Sequence, residues 1–348
     1  MNRKENIVLR QIRIFWIFTL LFLTGSVVSA AVTKTGTTAA KFLSIGIGPR
    51  AIAMGGAFTS VVDDATAMYW NPGGLALIDK YQVLFTQANW IADVTVNYIG
   101  VAIPAGNVGT FGFNVTALTM DDMDITTEQN PEGTGGRFSA GDYAFGFSFA
   151  RMLYQDFMIG ANVKYVRQDI SSSSATSFAI DIGTIFTTPF WGLKFASSIT
   201  NFGTKLQMTG EDLIIQHDPD PTVFGNNDKI DARYATESFD LPLRLQIGIS
   251  KDLLFAEGQR LTLAVDAAHP NDNTEFVNVG GELALFDELV FIRGGYKNLF
   301  MKDQEETWAL GGGINYTSID FMDIAIDYSY QNFVHLGDVH TFGFFLTF

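Results

Sequence analysis

The chain has 348 residues, a formal net charge of −15, no cysteine, 47% apolar residues and 17% charged residues. So acidic a chain is a poor partner for nucleic acid, and a chain without cysteine has no disulfides, thiolate metal sites or thiol catalysis. Apolar side chains, among them 31 Phe, recur at every second position over most of the chain. This spacing predicts strands with one apolar face.

Residues 1–30 have the pattern of a secretory signal peptide. A basic start is followed by an apolar run over Ile14–Val28 and by the small residues Ser29 and Ala30 at the cleavage site. The apolar run has 15 residues, fewer than the ~18 that a spanning helix needs, so an uncleaved membrane anchor is the weaker alternative. We therefore expect an exported mature chain without a transmembrane helix.

Residues 31–80 are predicted to form a plug segment. Within them, Ser44–Asp79 has neither the alternation of a strand nor the period of a long amphipathic helix, so the rest of the chain must enclose it. Gly55 and Gly56 let the backbone approach a wall that any side chain would block.

A short helix is predicted within the plug segment over Ala65–Trp70. Asp63 and Asp64 are good N-cap residues, and their carboxylates would lie at the positive end of the helix dipole. The following tetrapeptide, Asn71-Pro72-Gly73-Gly74, ends the helix at the residue before proline and then supplies a turn.

From Tyr81 onward the alternation predicts an all-β domain, a transmembrane antiparallel β-barrel of about 14 strands over residues 81–348. An even count is what bacterial single-chain barrels require. The predicted strands are 81–89, 94–102, 108–118, 142–150, 157–169, 176–188, 192–200, 241–250, 260–269, 274–285, 289–297, 305–316, 321–331 and 339–348.

The strand over 241–250 illustrates how the faces are assigned. The side chains predicted to face lipid are Leu241, Leu243, Leu245, Ile247 and Ile249. The intervening residues are mostly polar or small and would face the lumen.

A soluble β-sandwich also alternates, with its apolar face inward, and is the alternative fold. The last strand places one apolar set on a single face, namely Phe342, Phe344, Leu346 and Phe348.

The connections between these strands fall into two kinds. Pro104–Asn107, Arg151–Asp156 and Phe286–Glu288 are short and are predicted to be periplasmic turns. Thr119–Gly141 and Asn201–Asp240 are long, acidic and rich in Gly and Pro, so they are predicted to be extracellular loops.

Charged side chains on the polar strand faces are predicted to line the lumen, because a basic residue near the bilayer midplane costs about 2–4 kcal/mol. They are Lys164, Asp181, Arg244, Asp266, Arg293, Asp323 and Asp327. There they can pair with one another and with Arg50, Asp63 and Asp64 of the plug segment. We interpret them as a polar lock that holds the plug, and a transport path through the same groups is compatible with this.

The sequence contains no catalytic motif. It has no Gly-x-Ser-x-Gly elbow, no phosphate-binding loop and no His-Glu-x-x-His motif, and its four histidines lack metal-ligand spacing. Acidic runs such as Asp121, Asp122 and Asp124 lack the spacing of an EF-hand, so a solvated surface is the default and no metal is assigned. We therefore predict a protein that is not an enzyme and has no cofactor.

The sequence GPRAIAMGGAFTSVVDDATAMYWNPGGLA, within residues 44–77, resembles the N-terminal signature of the PorV/PorQ family, whose members resemble the fatty-acid transporter FadL. The family's Asn-Pro-Ala motif maps onto Asn71, Pro72 and Gly73, with glycine in place of alanine. The rest of the chain resembles the family as a strand pattern only.

The resemblance implies location in the cell outer membrane, surrounded by lipid, and a role in the type IX secretion system. There the protein would receive the C-terminal signal domain of secreted cargo proteins and hand it to a sortase-like attachment complex. The surfaces involved would be Asn201–Asp240 and Thr119–Gly141. The resemblance also implies an assembly signal in the final strand, formed by Phe344, Leu346 and Phe348.

The alternative function is that of a FadL-like transporter for a hydrophobic small molecule. Such a transporter needs an apolar pocket between plug and loops. The candidate side chains for this pocket are Phe42, Met54, Phe58, Met68, Tyr69 and Trp70. A purely structural barrel, the third class, would have neither a pocket nor a partner.

Overall fold

The structure, a computed structural model, describes residues 35–220, 222, 229–301, 304–318 and 322–348. The predicted signal peptide and the first residues of the predicted plug segment lie outside the described residues. None of the helices within these ranges is long and apolar enough to cross a membrane.

Fourteen strands within the described residues form one antiparallel sheet in which each strand pairs with the next. They are β1 (Gln82–Asn89), β2 (Thr95–Pro104), β3 (Thr110–Thr119), β4 (Ala140–Tyr154), β5 (Phe157–Ile170), β6 (Ser173–Thr187), β7 (Lys194–Gly203), β8 (Arg244–Ala256), β9 (Gln259–Pro270), β10 (Phe276–Leu285), β11 (Val290–Leu299), β12 (Glu306–Ser318), β13 (Met322–Phe333) and β14 (Gly337–Thr347). Strand β14 pairs with β1, where Thr347 lies opposite Gln82. The sheet therefore closes on itself, and the prediction of a 14-stranded antiparallel barrel is confirmed.

The two faces of the wall differ as the alternation predicts. On β8 the side chains of Leu245, Ile247 and Ile249 are exposed, whereas those of Gln246 and Ser250 are buried. Large apolar side chains are exposed in the same way on the other strands, and so continuous an apolar surface suits lipid rather than water. A soluble sandwich with its apolar face inward does not describe this chain.

Leu241 is an exception to the predicted faces. It is only 2% exposed and does not face lipid, because β8 begins at Arg244 and Leu241 belongs to the preceding loop. There it packs in an apolar cluster with Phe42 and Leu206. Leu243 also precedes the strand.

The two ends of the barrel chain meet at its closing seam. Tyr81 and Phe348 exchange two backbone hydrogen bonds, each with an N···O distance of 3.0 Å, and their rings stack with centroids 5.8 Å apart. The side chains of Phe342 and Phe344 are exposed on the outer face, and Leu346 is half-buried there.

Ahead of β1, the described residues from 35 onward form four short helical segments and fill the barrel. They are a 3₁₀ helix at Lys41–Ser44, α1 at Pro49–Ala53, α2 at Ala67–Trp70 and a 3₁₀ helix at Pro72–Leu77. Their apolar side chains share a core with the buried faces of the strands. This part of the chain is therefore a plug inside the wall.

Two details predicted for the plug are wrong. The helix begins at Ala67 rather than Ala65, because the Asp64 carboxylate accepts hydrogen bonds from the backbone N–H and the hydroxyl of Thr66 and forms a turn ahead of α2. The pair Gly73-Gly74 lies within the second 3₁₀ helix rather than in a turn.

The connections differ between the two barrel ends. The end that carries Tyr81 and Phe348 has short turns, among them residues 105–109, 155–156 and 286–289. The opposite end has the long connections over 120–139 and 204–243. The length of a connection does not by itself show at which end of the barrel it lies. Strands β5 and β6 are joined by a two-residue turn, residues 171–172, at the end with the long connections.

Ile247→Arg tests the lipid-facing register. Ile247 is 51% exposed on the outer face, so an arginine there should lower the free energy of unfolding in a bilayer by about 2–4 kcal/mol. The control Gln246→Arg places the same charge in the lumen beside Asp266, whose carboxylate accepts a hydrogen bond from Gln246, and should cost less. Urea titrations in lipid vesicles measure both, and equal losses would mean that the register is wrong.

Deleting Phe348 tests the closing seam. The deletion removes two backbone hydrogen bonds and one ring contact between β14 and the start of β1, so we expect a lower yield of folded barrel. Phe348→Tyr keeps the backbone and an aromatic ring and should assemble normally. The folded yield is read from heat-modifiable gel migration, and an unchanged yield after the deletion would contradict the role of Phe348 in closure.

Candidate functional site: the plug inside the barrel

The wall carries two pairs of glycines against which the plug backbone lies. Gly160 on β5 pairs with Gly183 on β6, and Gly280 on β10 pairs with Gly295 on β11. A Cβ on any of the four would lie no more than 2.3 Å from an atom of the plug, so only glycine leaves room. We call these pairs the first and the second glycine slot.

The first slot holds the Asn71-Pro72-Gly73 motif. The buried Asn71 amide donates from Nδ2 to the backbone oxygens of Thr59 at 2.9 Å and Thr184 at 3.1 Å, and its Oδ1 accepts from the Gly73 N–H at 3.0 Å. One side chain thus joins the plug, the wall and the second 3₁₀ helix. A Cβ on Gly73 would lie 3.0 Å from a carbonyl oxygen of the slot, so glycine suits this close approach.

The second slot holds Met54 together with Gly55 and Gly56. These glycines have φ angles of 64° and 74°, which side-chain-bearing residues rarely adopt. A Cβ on Gly55 would lie 2.7 Å from the backbone nitrogen of Tyr296, and the Asn278 amide donates to the Gly56 oxygen at 3.3 Å. The structure thus places both glycines directly against the wall.

A buried carboxylate on the wall joins the plug to the lumen. Glu282 on β10 has no exposed surface and accepts hydrogen bonds from Nε and Nη2 of Arg50 at 2.7 and 3.1 Å. It also accepts from Nε of Arg293 at 2.8 Å, and Nη1 of Arg293 donates to Asp327 at 2.5 Å. A charge removed from water is costly unless it is paired and hydrogen-bonded. The guanidinium groups of Arg50 and Arg293 meet that need here, and that of Arg260 lies 3.4 Å away.

Arg50 also contacts the two plug aspartates. Its Nη1 lies 2.5 Å from Asp63 and 3.4 Å from Asp64. The predicted pairing of these aspartates with Arg244 or Arg293 is therefore wrong, because Arg50 on α1 reaches both of them within the plug. Burial raises the pKa of the Asp64 carboxyl above its ordinary value, and the charge of Arg50 opposes this rise.

Asp266, Lys164 and Asp181 face the lumen in the structure. The buried Asp266 carboxylate accepts hydrogen bonds from the backbone N–H groups of Phe58 at 2.9 Å and Thr59 at 2.8 Å. It therefore holds the plug through backbone groups rather than through a cation. Lys164 pairs with Asp181 at 2.9 Å, so this pair links two neighbouring strands rather than wall and plug.

Arg244 and Asp323 differ from the predicted lock. The Arg244 guanidinium lies 5.8 Å from the centroid of the Trp70 ring, which is a cation–π contact; within the described residues no carboxylate lies at ion-pair distance from it. Asp323 pairs with Lys80 at 3.1 Å, and both side chains are partly exposed. That pair belongs to the barrel rim rather than to the interior.

Sequence reasoning missed Glu282, although its strand contains the signal. On β10 the small or polar residues Asn278, Gly280, Glu282 and Ala284 alternate with apolar ones and are buried. Charged side chains on the polar face of a barrel strand line the lumen, so Glu282 could have been predicted to do so as well.

The plug is packed by apolar side chains toward the end with the long connections. Phe42 and Leu43 share a cluster with side chains of the wall and of the loop over 204–243, namely Ala144, Val166, Ala175, Ala179, Leu206 and Leu241. Of the residues predicted to line a pocket, Met54, Phe58 and Met68 have no exposed surface. Phe42, Tyr69 and Trp70 also belong to packed clusters. These side chains fill the space between plug and wall.

The beginning of the plug is tied to the loops at that same end. The Ala39 N–H donates to the backbone oxygen of Asp240 at 2.9 Å. The Thr38 hydroxyl and the Lys41 ammonium both donate to the buried carboxylate of Asp272, at 2.7 and 2.5 Å. We call residues 38–45 the entry segment.

A polar cavity of about 330 Å³ lies at the opposite end, beside the charged network. Its lining includes Arg50, Arg293 and Asp327 together with Lys80 and Asp323, so it carries both signs of charge. Over the residues described here, no group of His, Asp or Glu side chains could hold a metal ion.

Together the wall and its internal segment define a plugged, closed β-barrel of the kind found in FadL-like proteins. The chain belongs to UPF0164, an uncharacterised protein family, whose model matches residues 24–203, just over half of the chain. A search of curated proteins gives no match.

Several solved structures share this fold. A FadL homologue of Pseudomonas aeruginosa is 12% identical, with 86% of this chain and 98% of that chain covered and a TM-score of 0.51. The toluene transporter TbuX of Ralstonia pickettii is 13% identical, with 87% and 97% covered and a TM-score of 0.52. The toluene transporter TodX of Pseudomonas putida is 10% identical, with 87% and 97% covered and a TM-score of 0.53. At these identities the likeness is one of fold.

Glu282→Gln tests the buried network. The variant leaves Arg50 and Arg293 without their shared carboxylate, so we expect the free energy of unfolding to fall by about 3–5 kcal/mol and trypsin to cut faster after Arg50. Asp124→Asn is the matched control, because Asp124 pairs with Arg137 at an exposed site outside the network and should contribute less than about 1 kcal/mol. Similar losses in the two variants would show that the network does not hold the plug.

Proposed function

We propose that this protein is an outer-membrane β-barrel that admits a hydrophobic small molecule when the entry segment leaves its place. The observation that carries the proposal is the apolar cluster at the end with the long connections. There Phe42 and Leu43 of the plug occupy a chamber whose walls are Ala144, Val166, Ala175 and other apolar side chains. Moving two plug side chains would leave a chamber lined by apolar groups.

The wall supports a membrane location. Its strands have 8 to 15 residues, which includes the roughly 9–11 that a tilted strand needs to cross a bilayer, and their outer faces are apolar. Proteins of the same fold include the two toluene transporters, which supports a hydrophobic cargo. The short-turn end would then face the periplasm and the long connections the exterior.

The contacts of the plug divide it into a fixed part and a movable part. The fixed part is held by the two glycine slots and by Arg50 on Glu282, which are buried contacts that are costly to break. The entry segment is held by hydrogen bonds with Asp240 and Asp272, with Gln168 on β5 and with the Tyr69 hydroxyl. The Lys41 side chain is 61% exposed. Displacement of the entry segment alone would open the outer half of the lumen and leave the inner half closed.

The second candidate function is that of a PorV-type cargo receptor of the type IX secretion system. It is favoured by the resemblance of residues 44–77 and by the length of the connection over 204–243, which contains an exposed ribbon of Ile214–His217 with Ile230–Arg233. Under this alternative the plug stays in place and the external loops bind the C-terminal signal domain of the cargo.

A disulfide between the entry segment and the loop tests the transport proposal. Thr38 and Asp240 are bridge partners, so cysteines at both positions have a spacing that a disulfide can span, and the chain has no other cysteine. We expect oxidised Thr38→Cys/Asp240→Cys to block uptake of a hydrophobic fluorophore such as N-phenylnaphthylamine by intact cells. Reduction should restore the uptake.

The controls separate the two functions. Each single cysteine variant should take up the fluorophore in both redox states. Uptake that is unchanged in the oxidised double variant would contradict the transport proposal. If oxidation leaves uptake unaffected, and deletion of the exposed ribbon of Ile214–His217 with Ile230–Arg233 stops the export of proteins with a C-terminal signal, the receptor is the correct function.

A further inference from the structure

A groove lies at the short-turn end of the barrel, between the exit of the plug and the rim. It has a volume of about 470 Å³ and is lined by Ile78 and Asp79 at the end of the plug, by the β2–β3 turn, and by Arg151 and Met152 on β4. We call it the rim groove. It is separate from the apolar cluster at the opposite end of the lumen.

One wall of the rim groove is an unpaired strand edge. Strand β3 pairs with β4 only as far as Thr110 opposite Ala150, whereas β4 continues to Tyr154 and there pairs with β5 alone. Successive residues of a strand direct their N–H and C=O groups alternately to one neighbouring strand and to the other. Within Arg151–Tyr154, the backbone groups that point to the groove side therefore have no partner strand. An open edge of this kind accepts an extended peptide as an additional strand.

The side chains of the groove add a charge pattern to this edge. Arg151 on β4 and Asp79 on the plug side are both exposed, and within the described residues neither has an ion-pair partner. Met152 on β4 also lines the groove and is exposed. A complementary occupant has an acidic group for Arg151, a basic group for Asp79 and an apolar side chain for Met152.

We propose that the rim groove binds an extended peptide segment of a partner protein, which adds a short strand to β4 beside Arg151–Tyr154. The segment carries one acidic residue, one basic residue and at least one apolar residue. In the orientation given above, the groove faces the periplasm, so the partner is a periplasmic protein. The binding does not depend on transport, because the groove lies outside the plugged lumen.

The test uses the whole barrel, refolded in detergent, and an array of random strand-prone heptapeptides. We expect the bound peptides to share one acidic and one basic residue. Arg151→Glu should weaken their binding about threefold to fivefold, which is the effect of one surface charge pair. Peptides with the two charges exchanged should bind the double variant Arg151→Glu/Asp79→Lys. Arg167→Glu changes an exposed arginine at the far end of β5 and should leave binding unchanged.

A second measurement tests strand addition itself. Two versions of a bound peptide would be N-methylated, one at the odd-numbered and one at the even-numbered residues. Only the version whose methyl groups replace the N–H groups that bond to β4 should lose binding. Heat-modifiable migration shows that each variant is folded. The proposal is overturned if the array yields no shared charge pattern, or if neither methylated version loses binding. It is also overturned if the barrel self-associates through this edge and excludes the peptides, because the occupant would then be a second copy of the chain.

Discussion

The carboxylate of Glu282 has no contact with solvent, and its charge is balanced by Arg50 of the plug together with Arg293 and, at 3.4 Å, Arg260 of the wall. The glycine slots impose a matching steric condition, because the wall has no side chains where the plug backbone lies. Without the plug, Glu282 would lose one of its three arginine partners, and the two glycine slots would lose the backbone that packs in them. The wall is therefore built to receive this plug.

The charged contacts and close backbone contacts between plug and wall are concentrated in one half of the lumen. Charges and glycine slots fix the plug between α1 and the second 3₁₀ helix, whereas the entry segment is surrounded by apolar groups and tied to the loops. Apolar packing is non-directional, so under the transport proposal a hydrophobic molecule would take the place of Phe42 and Leu43, at the cost of the hydrogen bonds that the entry segment makes with Asp272. The contrast between the two halves explains how a barrel could stay closed on one side and yet receive a ligand on the other.

The sequence predicts the barrel well because side-chain alternation is a local property with a period of two. The plug could also be located, since glycines and Asn71-Pro72 mark a backbone that approaches a wall. The sequence did not predict which charged side chains pair with each other. Arg50 reaches Asp63, Asp64 and Glu282 because the fold brings α1 within reach of all three carboxylates. Leu241 was misplaced for the same reason, since its burial depends on how a long loop folds over the entry segment.

The most direct test of a sealed lumen is the ionic conductance of the wild-type chain in planar lipid bilayers. If the plug fills the barrel as Glu282 and the glycine slots require, insertion of the folded protein should produce no steady ion current. A steady open current from the folded wild-type barrel would contradict this account, because ions would then flow through a lumen that the plug should close.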